Sequence, residues 1–313
     1  MTKRKPTYRI RNWANYNRSL VQRGSLALWV SPAVVAGWTA VQPTGKRGRP
    51  QTFADVAIEC MATLRAVYHL PLRATQGLLG SIFKLMKVTL PVPNYSTLSR
   101  RQVALDFHPP QRQAGAKLHL VVDSTGVKVF GEGEWKVRQH GWSKRRTWKK
   151  LHLGVDEATG QILAVTVTDN SVADASALPG LLAQVPGPLA QLSGDKAYDT
   201  RSTYEAARQR QARASIPPRR GARIWQHANT HAERLIRDEN LRAIRRDGRQ
   251  AWKQASGYHR RSIAESVMSR FKRILGPTIS ARTFPGQAAE IKVRCNILTV
   301  MLQLGAPDSY RVP

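Results

Sequence analysis

The sequence has few acidic residues for its length. Among 313 residues, 20 are aspartate or glutamate and 50 are lysine or arginine, which gives a formal net charge of +30. Hydrophobic residues make up 42% of the chain, enough for a core, so this is not a disordered basic tail. A foldable chain with this charge is expected to bind a polyanion, with nucleic acid the first candidate and an anionic membrane surface the second.

Cysteine pairs and long apolar runs are also missing. Cys60 and Cys295 are far apart and form no CxxC pair, which argues against a zinc finger and indicates a reducing compartment. The charged start leads into no apolar core, so it does not resemble a signal peptide. The early run LALWVSPAVVAGW is too short to span a bilayer. We expect a soluble cytoplasmic protein, associated with the nucleoid and without a membrane partner.

Residues 1–115 are predicted to form a helical region that binds DNA. Apolar residues recur at helical spacing after Asp55, and two shorter helical patterns follow, the last in PNYSTLSRRQVAL. Short helices joined by tight turns, with Arg100 and Arg101 near the start of the last one, are typical of a helix-turn-helix-like DNA reader. Many small helical domains share this pattern.

The pattern changes near residue 116. Three antiparallel strands, with a turn at 157–160, precede a helix, a strand, a second helix and another strand. A polar helical insertion at about 219–257 and further helices complete the order. We therefore predict an α/β domain over 116–305, with a mixed five-stranded sheet flanked by helices, and a short tail at 306–313.

The stretch SGYHRRSIAESVMSRFKRILGP contains one glutamate among many basic residues. At about 100° per residue, Tyr258, Arg261, Glu265 and Lys272 project within about 60° of one another from a single helix, opposite an apolar face. The plainer interpretation is a solvated helix face with an Arg–Glu pair.

Two other carboxylates favour a functional role for this glutamate. Asp123 ends the apolar strand HLVVD, and Asp195 ends LSGD, each beside small residues. Strand ends of this kind are common ligand positions in open α/β sheets. Asp174 and Asp199 are interpreted instead as helix starts.

Three carboxylates drawn together would repel one another unless a cation lies between them. Oxygen ligands with open coordination positions suit Mg²⁺ or Mn²⁺, and two such ions can promote in-line displacement at phosphorus. Asp123 would bridge both ions, while Asp195 and Glu265 would each complete the shell of one. Arg261 and Lys272 would contact phosphate oxygens, with Tyr258 nearby. These residues predict metal-dependent phosphoryl transfer on nucleic acid.

The stretch EWKVRQHGWSKRRTWKK combines many cations with one acid and three tryptophans. Basic side chains can follow a phosphate backbone and indoles can stack on unpaired bases, although the tryptophans could equally pack on the sheet. The predicted DNA contacts here are Lys136, Arg138, Trp142, Lys144, Arg145, Arg146 and Lys149.

The spacing around Glu265 resembles the signature of bacterial DDE transposases of the insertion-sequence-five family: Tyr, two residues, Arg, three residues, Glu, six residues, Lys. Tyr258, Arg261, Glu265 and Lys272 match each interval, and VVDSTG and SGDKAYDT resemble the family's two aspartate blocks. RGSLALW, LPLRATQGLL, YSTLSRR and SIPPR are also similar, so the resemblance extends over nearly the whole chain.

This resemblance implies an RNase H-like catalytic fold with Asp123, Asp195 and Glu265 as the catalytic, metal-binding residues. It also implies Mg²⁺-dependent hydrolysis at the inverted-repeat ends of an insertion sequence and strand transfer by the freed 3′-hydroxyl into target DNA. Because two ends must be held at once, the resemblance implies a homodimer or larger assembly on double-stranded DNA. Two alternatives stay open: a catalytically silent DNA-binding protein on the same scaffold, and an RNase H-like nuclease.

Overall fold

The computed structural model describes residues 7–40, 51–110, 118–129, 148–226 and 234–312. The chain divides into two compact units, 1–106 with 292–313, and 107–291. Residues 292–313 thus belong to the same unit as residues 1–106. The sequence had instead predicted 116–305 as the catalytic domain and 306–313 as a tail. The predicted domains themselves stay a prediction.

The first unit is mainly helical over its described residues. Its helices up to residue 106 are α1 (Trp13–Gln22), α2 (Leu26–Trp29), α3 (Pro32–Ala36), α4 (Asp55–Val67), α5 (Leu72–Leu85) and α6 (Tyr95–Arg101). The last three correspond to the three helical patterns found in the sequence, and some of their apolar residues, among them Ile58 and Leu79, are fully buried. Strand β1 (Thr7–Ile10) pairs antiparallel with β8 (Ser309–Val312), a pairing that local periodicity did not predict.

Helix α6 places its arginines differently from the prediction. The Asn94 side chain caps the helix by accepting a hydrogen bond of 2.9 Å from the Ser96 N–H, so Arg100 and Arg101 lie in the last turn and not near the start. Arg100 is exposed, whereas Arg101 donates to the Phe53 carbonyl and pairs with a carboxylate in α4. Of these two arginines, therefore, Arg100 presents its charge to solvent.

The second unit contains a mixed sheet. Its described strands are β2 (His119–Val129), β3 (Trp148–Asp156), β4 (Ile162–Asp169), β5 (Gln191–Ser193), β6 (Arg213–Ser215) and β7 (Thr278–Ile279). Their order is β4-β3-β2-β5-β6, and β7 also pairs with β2. The antiparallel β2-β3-β4 meander, followed along the chain by β5 and β6, confirms the predicted succession of strands, and the parallel pairing of β5 and β6 makes the sheet mixed. The sheet has six described strands and not five, because the two-residue β7 is too short to give a pattern.

Helices flank this sheet. They are α7 (Asp174–Ala183), α8 (Arg201–Gln209), α9 (Ile236–Ala255), α10 (Ser262–Leu275) and the first part of α11 (Phe284–Gln303). The predicted insertion contains α9, which is interrupted at Gly248, where φ is 85°. None of the helices in the described ranges combines the length and apolarity needed to cross a bilayer.

Strand β2 is at the centre of the core. Leu120, Val121 and Val122 are each 0% exposed, so both faces of the strand are covered. Because successive side chains alternate between faces, Leu120 and Val122 pack in the apolar cluster that includes α7, and Val121 and Asp123 point to the other face. Helix α10 packs against β2 and β3, and it buries Phe271 completely.

Candidate active site

One edge of β2 is paired discontinuously. On that edge β5 pairs with β2 as far as Val121, opposite Ser193, and β7 pairs with it from Lys128 onward. Strand β3 pairs along the opposite edge, and no described strand covers residues 122–127 on the β5 side. The backbone N–H and C=O groups of β2 that face this gap can therefore form hydrogen bonds with side chains.

Asp123 and Asp195 lie at this gap. The parallel pairing of β2 with β5 ends at Val121 and Ser193, and each aspartate follows two residues later. Oδ1 of Asp123 accepts a hydrogen bond of 2.9 Å from the Ser124 N–H. Oδ1 of Asp195 accepts one of 2.8 Å from the N–H of Ala197, at the start of the 3-10 turn Lys196–Tyr198. Both aspartates thus lie just beyond the end of this pairing, but Asp123 does not end its strand as predicted, because β2 continues to Val129.

Gly194 allows the chain to make this approach. A Cβ at this position would lie 2.8 Å from the Tyr198 ring and 3.2 Å from a methyl group of Val122. Tyr198 and Val122 are fully buried, so neither can move aside easily. The close packing of Tyr198 and Val122 therefore requires a glycine immediately before Asp195.

The segment that carries Glu265 is not one continuous α-helix. Tyr258–Arg261 form a 3-10 turn after Gly257, whose φ of 66° is in the left-handed region, and α10 begins only at Ser262. The predicted uniform rotation from Tyr258 onward is therefore wrong, because a glycine-initiated turn tightens the start. The four-residue interval between Arg261 and Glu265 still brings their side chains together.

Arg261 joins two of the three predicted carboxylates. Its Nη1 lies 2.7 Å from Oδ2 of Asp123, and its Nη2 donates to Oε1 of Glu265. The side chains of Arg261 and Asp123 are 17% and 16% exposed, whereas that of Glu265 is 57% exposed. Asp123 and Glu265, distant in sequence, thus share one guanidinium group.

The carboxylates also act on one another electrostatically. Burial raises the pKa of Asp123 above its ordinary value, and the negative charges of Asp195 and Glu265 add to this shift. The Arg261 guanidinium and the Ser124 N–H oppose it by favouring the charged form. The three acidic residues therefore belong to one electrostatic environment.

The three carboxylates fit a divalent cation by their chemistry but not by their present arrangement. Within the described part of the chain, no three His, Cys, Asp or Glu side chains are arranged to hold a metal ion. Two of the three carboxylates turn toward Arg261 instead. The donor set does fit a hard cation, since all its ligands are carboxylate oxygens. A cation bound by all three would have to take the place of Arg261 between Asp123 and Glu265.

Two further residues of the predicted signature lie near this group. The Tyr258 ring centroid is 5.7 Å from the Arg261 guanidinium and 5.6 Å from the Trp252 ring, and burial raises the pKa of the tyrosine. Lys272 is partly exposed on α10, two turns beyond Glu265 and about 10 Å farther along the axis. Tyr258 therefore packs against Arg261, and Lys272 lies farther out.

The predicted DNA contacts in the basic stretch are mostly outside the described residues. These are Lys136, Arg138, Trp142, Lys144, Arg145 and Arg146. Lys149 is described in β3, where it is 7% exposed and its ammonium group pairs with Asp169. Lys149 therefore does not present its charge to solvent, because a neighbouring strand supplies its counterion.

A basic patch next to Asp195 was not singled out in the sequence. It consists of Lys196, Arg219, Arg220 and Arg245, all of which are exposed. Nε of Arg219 donates to the Lys196 carbonyl at 3.4 Å, and Nη2 of Arg245 donates to the Ala222 carbonyl at 3.2 Å. The arginine-rich composition of the insertion was the available signal, but only the fold brings it beside Asp195.

Comparisons with known proteins identify a family. Two family models, each described as a Transposase DDE domain, match residues 21–132 and 114–300. The second takes in more than half of the chain and contains Asp123, Asp195 and Glu265. Among solved structures, the chain is similar to a piggyBac transposase synaptic complex with hairpin DNA, determined by cryo-EM. That similarity has a TM-score of 0.37 and 7% identity, over 91% of this chain and 74% of that one.

Proposed function

Because this chain belongs to the DDE transposase family, we propose that it binds the inverted-repeat ends of an insertion sequence and catalyses their hydrolysis and transfer. The freed 3′-hydroxyl would then join target DNA, in a homodimer or larger assembly. The observation that carries the proposal is that Arg261 bonds to both Asp123 and Glu265, while Asp123 and Asp195 each follow the paired segment of β2 and β5 by two residues. The spacing from Tyr258 to Lys272 supports the bacterial insertion-sequence-five family, with an RNase H-like catalytic domain.

Asp123, Asp195 and Glu265 are proposed to hold two Mg²⁺ ions, or Mn²⁺ in their place. When bound, such cations activate a water or 3′-hydroxyl and stabilise the leaving oxygen. The chain's own contribution is to fix the carboxylates from three separate elements. Asp123 is held by the N–H after it, Asp195 by the 3-10 turn, and Glu265 by the first turn of α10.

DNA phosphates are proposed to contact cations around these carboxylates. In the second unit the candidates are the basic patch and Lys272. The net charge of +30 supports a polyanion partner, and Lys196 of the basic patch follows Asp195 directly in sequence. These side chains would hold the strand while its phosphorus reacts. Arg145 and Arg146 stay predicted contacts, and Arg100 of the first unit is a separate candidate for a DNA contact.

The proposed function is tested with end-labelled DNA carrying the ends of the element. The full chain is incubated with this DNA or with a matched RNA, with Mg²⁺ or with a chelator. Mg²⁺-dependent cleavage followed by joined products would support a transposase. Binding without cleavage would identify a silent DNA-binding protein, and preference for the RNA would identify an RNase H-like nuclease.

Arg261 is proposed to change partners, leaving Asp123 and Glu265 for a DNA phosphate when cations bind. Replacing Arg261 with glutamine should therefore tighten Mn²⁺ binding in the absence of DNA. Hydrogen bonds to charged groups contribute about 1.5–3 kcal/mol, so relief from this competition should lower Kd by about tenfold or more. Isothermal titration calorimetry measures the change.

Arg260→Gln is the matched control for this prediction. It removes the same charge one residue earlier, from a side chain that is 55% exposed and pairs with Glu157. We expect its Mn²⁺ affinity to equal that of the wild type within about twofold, because Arg260 pairs with Glu157 and not with one of the three carboxylates. Equal or weaker affinity in Arg261→Gln would show that the guanidinium does not compete with the cation.

A further inference from the structure

We infer that Ser124 and Asp174 are positioning residues for Asp123 and act from the opposite face of β2. The inference rests on the proposed function, since it concerns a carboxylate proposed to bind the cation. Neither side chain points into the group formed by Asp123, Arg261 and Glu265. Their effect on the orientation of Asp123 would pass through the backbone of Ser124.

Ser124 makes two hydrogen bonds that face different sides of the sheet. Its backbone N–H donates to Oδ1 of Asp123 at 2.9 Å, and its hydroxyl donates to Oδ1 of Asp174, also at 2.9 Å. Neighbouring side chains of a strand alternate between faces, so the hydroxyl reaches α7 while the carboxylate faces α10. Any rotation of the backbone at Ser124 would disturb both bonds at once.

Asp174 is itself anchored to the sheet. It begins α7, and its Oδ1 lies 3.1 Å from Nζ of Lys150 in β3. The same ammonium group donates to the Val172 carbonyl at 2.8 Å, which fixes the loop before the helix. The carboxylate is 19% exposed, so the pair is shielded from bulk water more than a surface salt bridge would be. The Ser124 hydroxyl is therefore bonded to a carboxylate that belongs to α7 and is also held by Lys150 of β3.

Two fully buried polar atoms lie around Asp174. Nδ1 of His152 and the Tyr198 hydroxyl have no hydrogen-bond partner among the described residues, and both side chains are 0% exposed. His152 Nδ1 is 3.9 Å from Oδ1 of Asp174. Burial and the charges of Asp174, Asp123 and Asp195 raise the pKa of Tyr198. Tyr198 thus lies within electrostatic reach of Asp174 and of both aspartates of the site.

These atoms indicate that the interior between Asp174 and the two aspartates is polar. Buried polar groups without partners are rare in folded proteins, because each one costs free energy that aliphatic packing would avoid. A residue that only begins a helix would need neither the cation from β3 nor the bond to Ser124. A polar interior that orients Asp123 accounts for all of these features.

The test measures Mn²⁺ binding to the full chain by calorimetry, together with its melting temperature. We expect Ser124→Ala and Asp174→Asn to bind Mn²⁺ about 10–100-fold more weakly, the usual effect of removing an outer partner of a metal ligand. Ser124→Thr keeps the hydroxyl and should recover most of the affinity. Ser176→Ala is the control, since Ser176 is exposed on α7 and should leave the affinity unchanged.

The outcomes separate this inference from the proposed function. If the wild type binds Mn²⁺ and Ser124→Ala and Asp174→Asn bind it equally well, the positioning role is overturned and the proposed function stands. If the wild type binds no Mn²⁺, the proposed metal centre fails and the positioning role fails with it. A purely structural role predicts a lower melting temperature with unchanged affinity, so that result would also overturn the inference. Asp174→Asn keeps a residue suited to a helix start but removes the negative charge that accepts from Ser124 and pairs with Lys150, so it serves if Ser124→Ala does not fold.

Discussion

Replacing Asp123 with asparagine should lower the rate of DNA cleavage by about a thousandfold or more while DNA binding is retained. The amide keeps the size of the carboxylate and can still accept a hydrogen bond from the Ser124 N–H. It removes the negative charge that the cation requires and one of the two carboxylate partners of Arg261. Metal ions stabilise transition-state charge by several kcal/mol, and about 4 kcal/mol corresponds to a thousandfold in rate.

Single-turnover cleavage with Mg²⁺ measures this effect, and gel-shift titration measures binding. Asp156→Asn is the control, because Asp156 ends a strand and its carboxylate serves the hairpin turn by accepting from the Ala158 N–H at 3.1 Å. We expect its cleavage rate to stay within about twofold of the wild type, as is usual away from a site. Cleavage by Asp123→Asn at the wild-type rate would exclude this aspartate from the reaction.

The affinity of the protein for DNA should also depend strongly on salt concentration. If the protein neutralises about 6–10 phosphates, its affinity for DNA should fall by about 10³–10⁵ between 50 and 200 mM salt. Replacing Arg219 and Arg220 together with glutamine should lower the slope of log affinity against log salt by about 2, one for each phosphate contact. The same change at Arg145 and Arg146 tests the basic stretch that lies outside the described residues.

Arg213→Gln is the control for the basic patch. Arg213 is exposed at the beginning of β6, opposite Gln191 at the beginning of β5, so it lies at the end of the parallel strands away from Asp195. Its loss should leave the salt slope unchanged. An unchanged slope in the Arg219/Arg220 double variant would remove this patch from the DNA-binding surface.

Local patterns in the sequence were sufficient to predict much of the second unit. Alternating apolar residues and the turn at 157–160 predicted β3 and β4. Small residues after an apolar run marked Asp123 and Asp195, but the prediction that Asp123 ends its strand was wrong, because β2 continues to Val129. The short β7 and the pairing of β1 with β8 were not predicted. The strands with which β1 and β7 pair lie far away in sequence. The spacing of apolar residues within a strand contains no information about which strand it pairs with.

The details of the site depended on tertiary contacts. Asp174 was interpreted as a helix start, which is confirmed, but its bonds to Ser124 and Lys150 join three elements that no local pattern connects. Asp199 was also interpreted as a helix start, and that was wrong. It is buried and pairs with Arg237 at 3.0 Å, while Thr200 caps α8. The sequence does not show which side chain faces a given carboxylate. In the structure, the cationic partners of Asp174 and Asp199 distinguish their roles.

Three acidic residues that are remote in sequence are proposed to bind one cation centre. Fe²⁺ loaded in place of Mg²⁺, with peroxide and a reductant, produces hydroxyl radicals that cut the polypeptide close to the bound ion. We expect cuts near residues 123, 195 and 265, all suppressed by excess Mg²⁺ and all lost in the Asp123→Asn variant. Cuts at only one of these segments, or cuts that excess Mg²⁺ does not suppress, would contradict a shared centre.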